Sequence, residues 1–125
     1  MFIEVSMLDG SQRLVRSAKI VRLRPTFGDV EPEGATLIEV GTQRLFSSEP
    51  ADAIAARLRG RLQLLQLTTP VGEPVWIDAD KVIAIFDADP EQHHPDARSV
   101  VCLGDVDQQL AETRSEVVAR FDDVA

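Results

Sequence analysis

The residues with the most chemical promise are His93 and His94, adjacent to one another and flanked by Asp89, Glu91 and Asp96. Imidazole plus carboxylate is a donor set that zinc or nickel accepts. Neighbouring side chains on extended backbone point in opposite directions, and Pro90 and Pro95 bracket the pair. The segment is therefore expected to be a polar loop. Cys102, the only cysteine, lies between Val101 and Leu103. A nucleophilic thiolate needs an electropositive, partly exposed setting, and an apolar strand supplies the reverse, so a buried structural cysteine is expected. The pairs Asp78/Asp80 and Asp87/Asp89 have a spacing that acid–base chemistry uses. The first straddles a corner, where aspartate accepts from nearby amides, and the second opens a loop, so both are expected as solvated turn carboxylates. Ser-His-Asp spacing, a glycine-rich phosphate loop and a Walker pattern are all missing from the sequence. No catalytic residue, cofactor or metal is assigned, and the chain is expected not to be an enzyme.

Charge is more informative. Residues 1–61 hold nine basic and eight acidic side chains, whereas residues 62–125 hold four and thirteen. The basic ones gather at Arg13, Arg16, Lys19, Arg22 and Arg24, the candidate interaction patch. Arg22 and Arg24 lie two apart, so a strand sets them on one face. Such a patch suits phosphates. Against that stand a formal net charge of −8 and the absence of interleaved aromatics. A solvated face, or a contact with the acidic half of the same or another copy, is the competing expectation.

The elements that must position these residues follow from an internal repeat. Shifting the chain by 62 places sets Ile3 on Leu65, Val5 on Leu67, Gly10 on Gly72, Val15 on Ile77 and Lys19 on Lys81. After a loop the offset becomes 63, and Ile38 meets Val101, Gly41 meets Gly104, Ile54 meets Val117 and Leu58 meets Phe121. One inserted residue in a loop reconciles the two, because loops tolerate insertion.

Each copy reads as short strands and then one helix. In the first, Phe2–Leu8 and Arg13–Arg16 flank a turn at Asp9-Gly10, where glycine readily takes φ > 0. Strands at Lys19–Arg24, Thr36–Val40 and Arg44–Ser47 follow, then a helix from Pro50 through Arg59, stopped by Gly60. The second copy repeats this with strands at Leu64–Thr68, Pro74–Ile77, Lys81–Phe86, Ser99–Leu103 and Gln108–Ala111, and a helix from Arg114 to Asp122. Thr113 and Glu116 have the spacing of a capping box, worth about 0.5–2 kcal/mol.

The fold class is therefore α+β and mostly β, an internal duplication of a unit of four or five short antiparallel strands followed by a helix. The two repeats are 1–61 and 62–125. A unit of about 60 residues is marginal alone. The apolar pairs Ile54/Leu58 and Val117/Phe121 form narrow helix stripes that must lie on a sheet. The copies are thus expected to pack together, as one continuous sheet system or a compact pseudo-twofold domain. Trp76, the only tryptophan, aligns with Leu14 and is expected in the core or between the copies.

Several of these residues carry a resemblance. Leu67-Thr68-Thr69-Pro70-Val71-Gly72-Glu73-Pro74-Val75-Trp76-Ile77, Lys81-Val82-Ile83-Ala84-Ile85 and Glu112-Thr113-Arg114-Ser115-Glu116-Val117 resemble the small flagellar FlbD-like (SwrD-like) proteins. The first copy is similar at Asp9-Gly10 and Glu49-Pro50-Ala51-Asp52-Ala53-Ile54, without the capping hydroxyl after the glutamate. Two copies would cover nearly the whole chain, where the family has one. The matched residues are turn, cap and core positions, and the family has no catalytic site to transfer. The resemblance implies an accessory or regulatory protein, linked to motility in some relatives.

The 125 residues contain no run of the ~20 apolar residues needed to cross a bilayer, nor a secretory signal pattern, and one cysteine forms no internal disulfide. A cytoplasmic protein is expected, acting through protein contacts with its own copies or a partner assembly. The alternative is a nucleic-acid or transcriptional accessory protein using the basic patch.

Overall fold

The computed structural model describes residues 1–124. Ten strands and two helices follow one another in a series that occurs twice. The first series is β1 (Phe2–Ser6), β2 (Gln12–Arg16), a 3-10 turn at Ser17–Lys19, β3 (Ile20–Pro25), β4 (Thr36–Val40), β5 (Gln43–Ser47) and α1 (Ala51–Leu58). The second is β6 (Leu64–Thr68), β7 (Pro74–Asp78), a 3-10 turn at Ala79–Lys81, β8 (Ala84–Asp87), β9 (Ser99–Cys102), β10 (Asp107–Leu110) and α2 (Arg114–Val124).

The correspondence extends to individual hydrogen bonds. The Ser6 amide donates to Glu49 Oε2 at 2.8 Å, and its counterpart Thr68 donates to Glu112 Oε1 at 2.9 Å. Thr36 Oγ1 donates to the Glu49 carbonyl at 2.6 Å, as Ser99 Oγ does to the Glu112 carbonyl at 2.7 Å. Arg57 and Arg120 each reach back to a first-strand carbonyl, of Glu4 and Gln66 respectively. Glu49 and Glu112 thus tie the helix start to the first strand and to the fourth, satisfying groups that burial would otherwise strand. Among the described residues every buried side-chain nitrogen and oxygen has a partner.

The strands form three antiparallel sheets, ordered β1-β2, β10-β9-β8 and β5-β4-β3-β7-β6. The five-stranded sheet joins the halves through β3 and β7, with Arg22 opposite Ile77 and Leu23 opposite Trp76. An exact twofold would also set β8 on β2. No such ladder occurs among the described residues, so the halves meet along one side only.

Two cores result. One gathers Ile3, Val5, Val15, Leu23, Ile38, Ile54 and Leu58 of the first half, and the other Leu65, Leu67, Ile77, Val101, Leu110 and Val117 of the second. One buried side chain from each half sits in the other's core, Trp76 in the first and Val21 in the second, and the partly buried Leu62 and Leu64 also pack against the first.

Three sequence expectations shift in detail. Helix α1 ends at Leu58, because Arg59 is already extended ahead of Gly60, whose φ of +80° is a left-handed turn that glycine takes without strain. The third strand of the second half begins at Ala84, three residues later than Lys81. Its counterpart β3 is paired on both sides, whereas among the described residues β8 has only β9 beside it. Helix α2 continues to Val124, past Asp122. Its start carries the reciprocal cap: the Thr113 amide donates to Glu116 Oε1 at 3.0 Å and the Glu116 amide to Thr113 Oγ1 at 3.2 Å. Those bonds hold the Glu116 carboxyl below its ordinary value.

Candidate interaction surface

The five basic residues of the candidate patch divide into two groups. Arg13 and Arg16 on β2 and Lys19 in the following turn are exposed, and the Arg16 guanidinium lies 4.7 Å from the centre of the Phe2 ring. Arg22 and Arg24, by contrast, are buried. They do not belong to a basic surface, because each is paired inside the fold. Arg22 donates from Nε and Nη2 to Glu39 Oε1 at 3.0 and 2.7 Å, and from Nη1 to Gln108 Oε1 of the other half. Burial draws the Arg22 guanidinium down from its ordinary range, against the opposing pull of Glu39. Arg24 makes a bidentate pair with Glu31 at 2.8 and 2.9 Å and stacks over Phe27, 4.1 Å from the ring centre. Arg44, half-exposed, approaches Glu39 at 3.3 Å and Glu31 at 3.7 Å.

These groups line a cleft of about 430 Å³ between the halves, where Arg22, Arg24 and Arg44 face His94, Gln108 and Gln109. All three of its guanidinium groups are paired with the carboxylates of Glu39 or Glu31. Arg22 and Arg24 are thus turned to partners within the fold and not toward a phosphate backbone.

The Arg24–Glu31 pair has a pH signature. The bonds from Arg24 hold the Glu31 carboxyl below its ordinary value of 4.5. A carboxyl lowered in the folded state adds stability above its unfolded value and loses it as pH falls through the folded one. Melting curves between pH 7 and pH 3 are therefore expected to show stability falling below about pH 4.5. The fall should be shallower in Glu31→Gln, and a variant with the wild-type slope would remove Glu31 from the linkage.

The other sequence candidates lie elsewhere. His93 and His94 are in the β8–β9 loop, where their Nδ1 atoms accept the amides of Asp89 at 2.8 Å and Asp96 at 3.0 Å. Both rings thus close turns. Among the described residues no three His, Cys, Asp or Glu side chains gather in a metal-binding arrangement. Cys102 is half-buried at the end of β9, not fully enclosed, with Ala84 and Asp107 across the sheet from it. Asp78 is buried, contrary to a solvated turn carboxylate, because it accepts the Asp80 amide at 3.1 Å and pairs with Lys81 Nζ at 2.9 Å. Asp87 is exposed and Asp89 accepts the Glu91 amide at 3.0 Å.

The exposed apolar surface was not evident from chemistry-bearing residues. Leu14 on β2 and Ile83 just before β8 are largely exposed, each beside a strand edge that carries no partner strand among the described residues. Next to β8, an open groove of about 470 Å³ is lined by Val82, Ile83, Ala84, Ile85, Val118 and Phe121, with Arg114 at its margin. The sequence does hold a signal for it: Leu14-Val15 and Val82-Ile83 put apolar side chains on both faces of a strand, a pattern of strands covered on both sides. Among the described residues no helix is long and apolar enough to cross a membrane. Comparison with family models, with curated proteins and with solved structures finds no match for the chain.

Proposed function

We propose that this chain is a non-enzymatic, cytoplasmic accessory protein that works by binding protein through its open strand edges. The observation that carries the reading is the pair of apolar side chains, Leu14 and Ile83, standing exposed on two unpaired edges. An unpaired edge presents a row of backbone donors and acceptors that another strand can complete, and apolar neighbours add affinity. The chemistry-bearing side chains have structural duties: the histidines close turns, and Asp78 caps one. The resemblance to small flagellar accessory proteins agrees with a role of this kind, and a motility assembly is the first place to look for a partner.

The test is affinity capture from the native cell with two baits, the wild-type chain and the double variant Leu14→Glu/Ile83→Glu. Both positions are solvent-exposed, so the variant should fold. Protein retained by the wild type, whether further copies of the chain or another component, is expected to be lost from the variant. Equal recovery on both baits would place binding elsewhere and end the edge reading.

A further inference from the structure

The junction inside the chain shows what its open edges are shaped to hold. Within the molecule β3 receives β7, with Arg22 opposite Ile77 and Leu23 opposite Trp76. Under the 62-residue correspondence the reciprocal pair is β8 with β2, setting Ala84 opposite Val15 and Ile85 opposite Leu14. Among the described residues neither strand has that partner.

The side chains tell the same story. Two buried apolar residues cross the internal junction, Trp76 and Val21, and they are 7% and 8% exposed. Their counterparts are Leu14 and Ile83, which are 66% and 71% exposed. Trp76 joins the buried cluster that holds Ala55 and Leu58 of α1, and Ala55 lines one pocket with it. The counterparts of Ala55 and Leu58 on α2 are Val118, exposed, and Phe121, half-buried, and they line the open groove beside β8. Knob and receiving groove are therefore both present and both empty, on different halves of one chain.

We infer that the occupant is a second copy of this chain, its β2 laid antiparallel on β8 and its Leu14 seated in the groove against Val118 and Phe121. This rests on the edge-binding reading above and names its partner. Charge favours the same pairing. At the level of the halves, the β2 edge carries Arg13 and Arg16, while the half bearing the groove holds thirteen acidic side chains against four basic, and Arg114, the charged side chain that lines the groove, lies 3.7 Å from Asp87. The contact is head-to-tail: each added copy uses one end and leaves the other free, so repetition gives a ring or an open fibre.

Sedimentation velocity on the full chain tests this. Wild type is expected to rise with concentration above the 13.8 kDa of one chain, through species of more than two copies. Leu14→Glu alone and Ile83→Glu alone should each stay at the mass of one chain. Their equimolar mixture should give a species of two chains and nothing larger, because one supplies an intact groove end and the other an intact β2. That restored pair also shows both variants to be folded. Assembly surviving in one single variant would instead mean like-to-like pairing of the unaltered edge, and overturns the inference. A wild type that remains one chain at every concentration also overturns it, while the two-bait capture then decides separately whether the edges hold a different protein.

Discussion

Replacing Trp76 with alanine is expected to lower stability by about 3–5 kcal/mol, the range for removing a large buried aromatic. Trp76 sits on β7 but belongs to the core of the other half, in the cluster that holds Ala55 and Leu58, and lies opposite Leu23 where the five-stranded sheet changes copies. Its loss opens a void in one core and loosens the junction that each marginal unit depends on. Against a typical total of about 5–15 kcal/mol, that is enough to leave a sizeable unfolded fraction. Urea titration followed by far-UV circular dichroism measures it, since the substitution deletes the only tryptophan. A cost below about 1 kcal/mol would mean that the core closes over the gap, against the geometry of the joint. Phe121→Ala, which full burial would place in the same range, is expected to cost less in the isolated chain. Phe121 is only half-buried because its groove is open.

Replacing Glu39 with alanine should be comparably damaging, at about 3–5 kcal/mol. The carboxylate accepts two hydrogen bonds from Arg22 and one from Arg44 and is as buried as the guanidinium it neutralises. Removing it leaves a cation in a site that water barely enters. The penalty comes from the orphaned charge, so removing both partners should restore most of the loss, as in Arg22→Met/Glu39→Met. The molecule itself supports that expectation: the matching slot in the second half holds Ala84 opposite Cys102. Chemical denaturation of the single and double variants gives the coupling directly. If Glu39→Ala were as mild as a surface substitution, the Arg22–Glu39–Gln108 contact would have to be solvated.

Much of the fold could be read from the residues. Glycines at matched turns, alternating apolar positions and the Thr113–Glu116 spacing fix most elements to within a residue or two, because these signals are local. The misjudged positions depend on what a strand meets across the sheet. Arg22 and Arg24, spaced for one face, suggested a solvent-facing stripe. Their burial depends on Glu39 and Glu31, which topology brings to them. Glu39 within the run Thr36-Leu37-Ile38-Glu39-Val40 was the available hint, since a carboxylate inside an apolar strand requires a cationic neighbour. Lys81–Phe86 looked like a full strand for the opposite reason. Its pattern matches that of a strand with neighbours on both sides, and within one chain it has one.

The joint between the halves has a numerical corollary. Helix α1 ends at Leu58 and β6 starts at Leu64, with Arg59 bridged to Leu62 across the bend, so the two units cannot drift apart or be supplied singly. Whatever these molecules build, its tally of units is even. A circle of five or seven lobes is closed to this chain, and seams that carry the Arg22–Gln108 bond would alternate all the way round with seams that have Ala84 in place of the arginine.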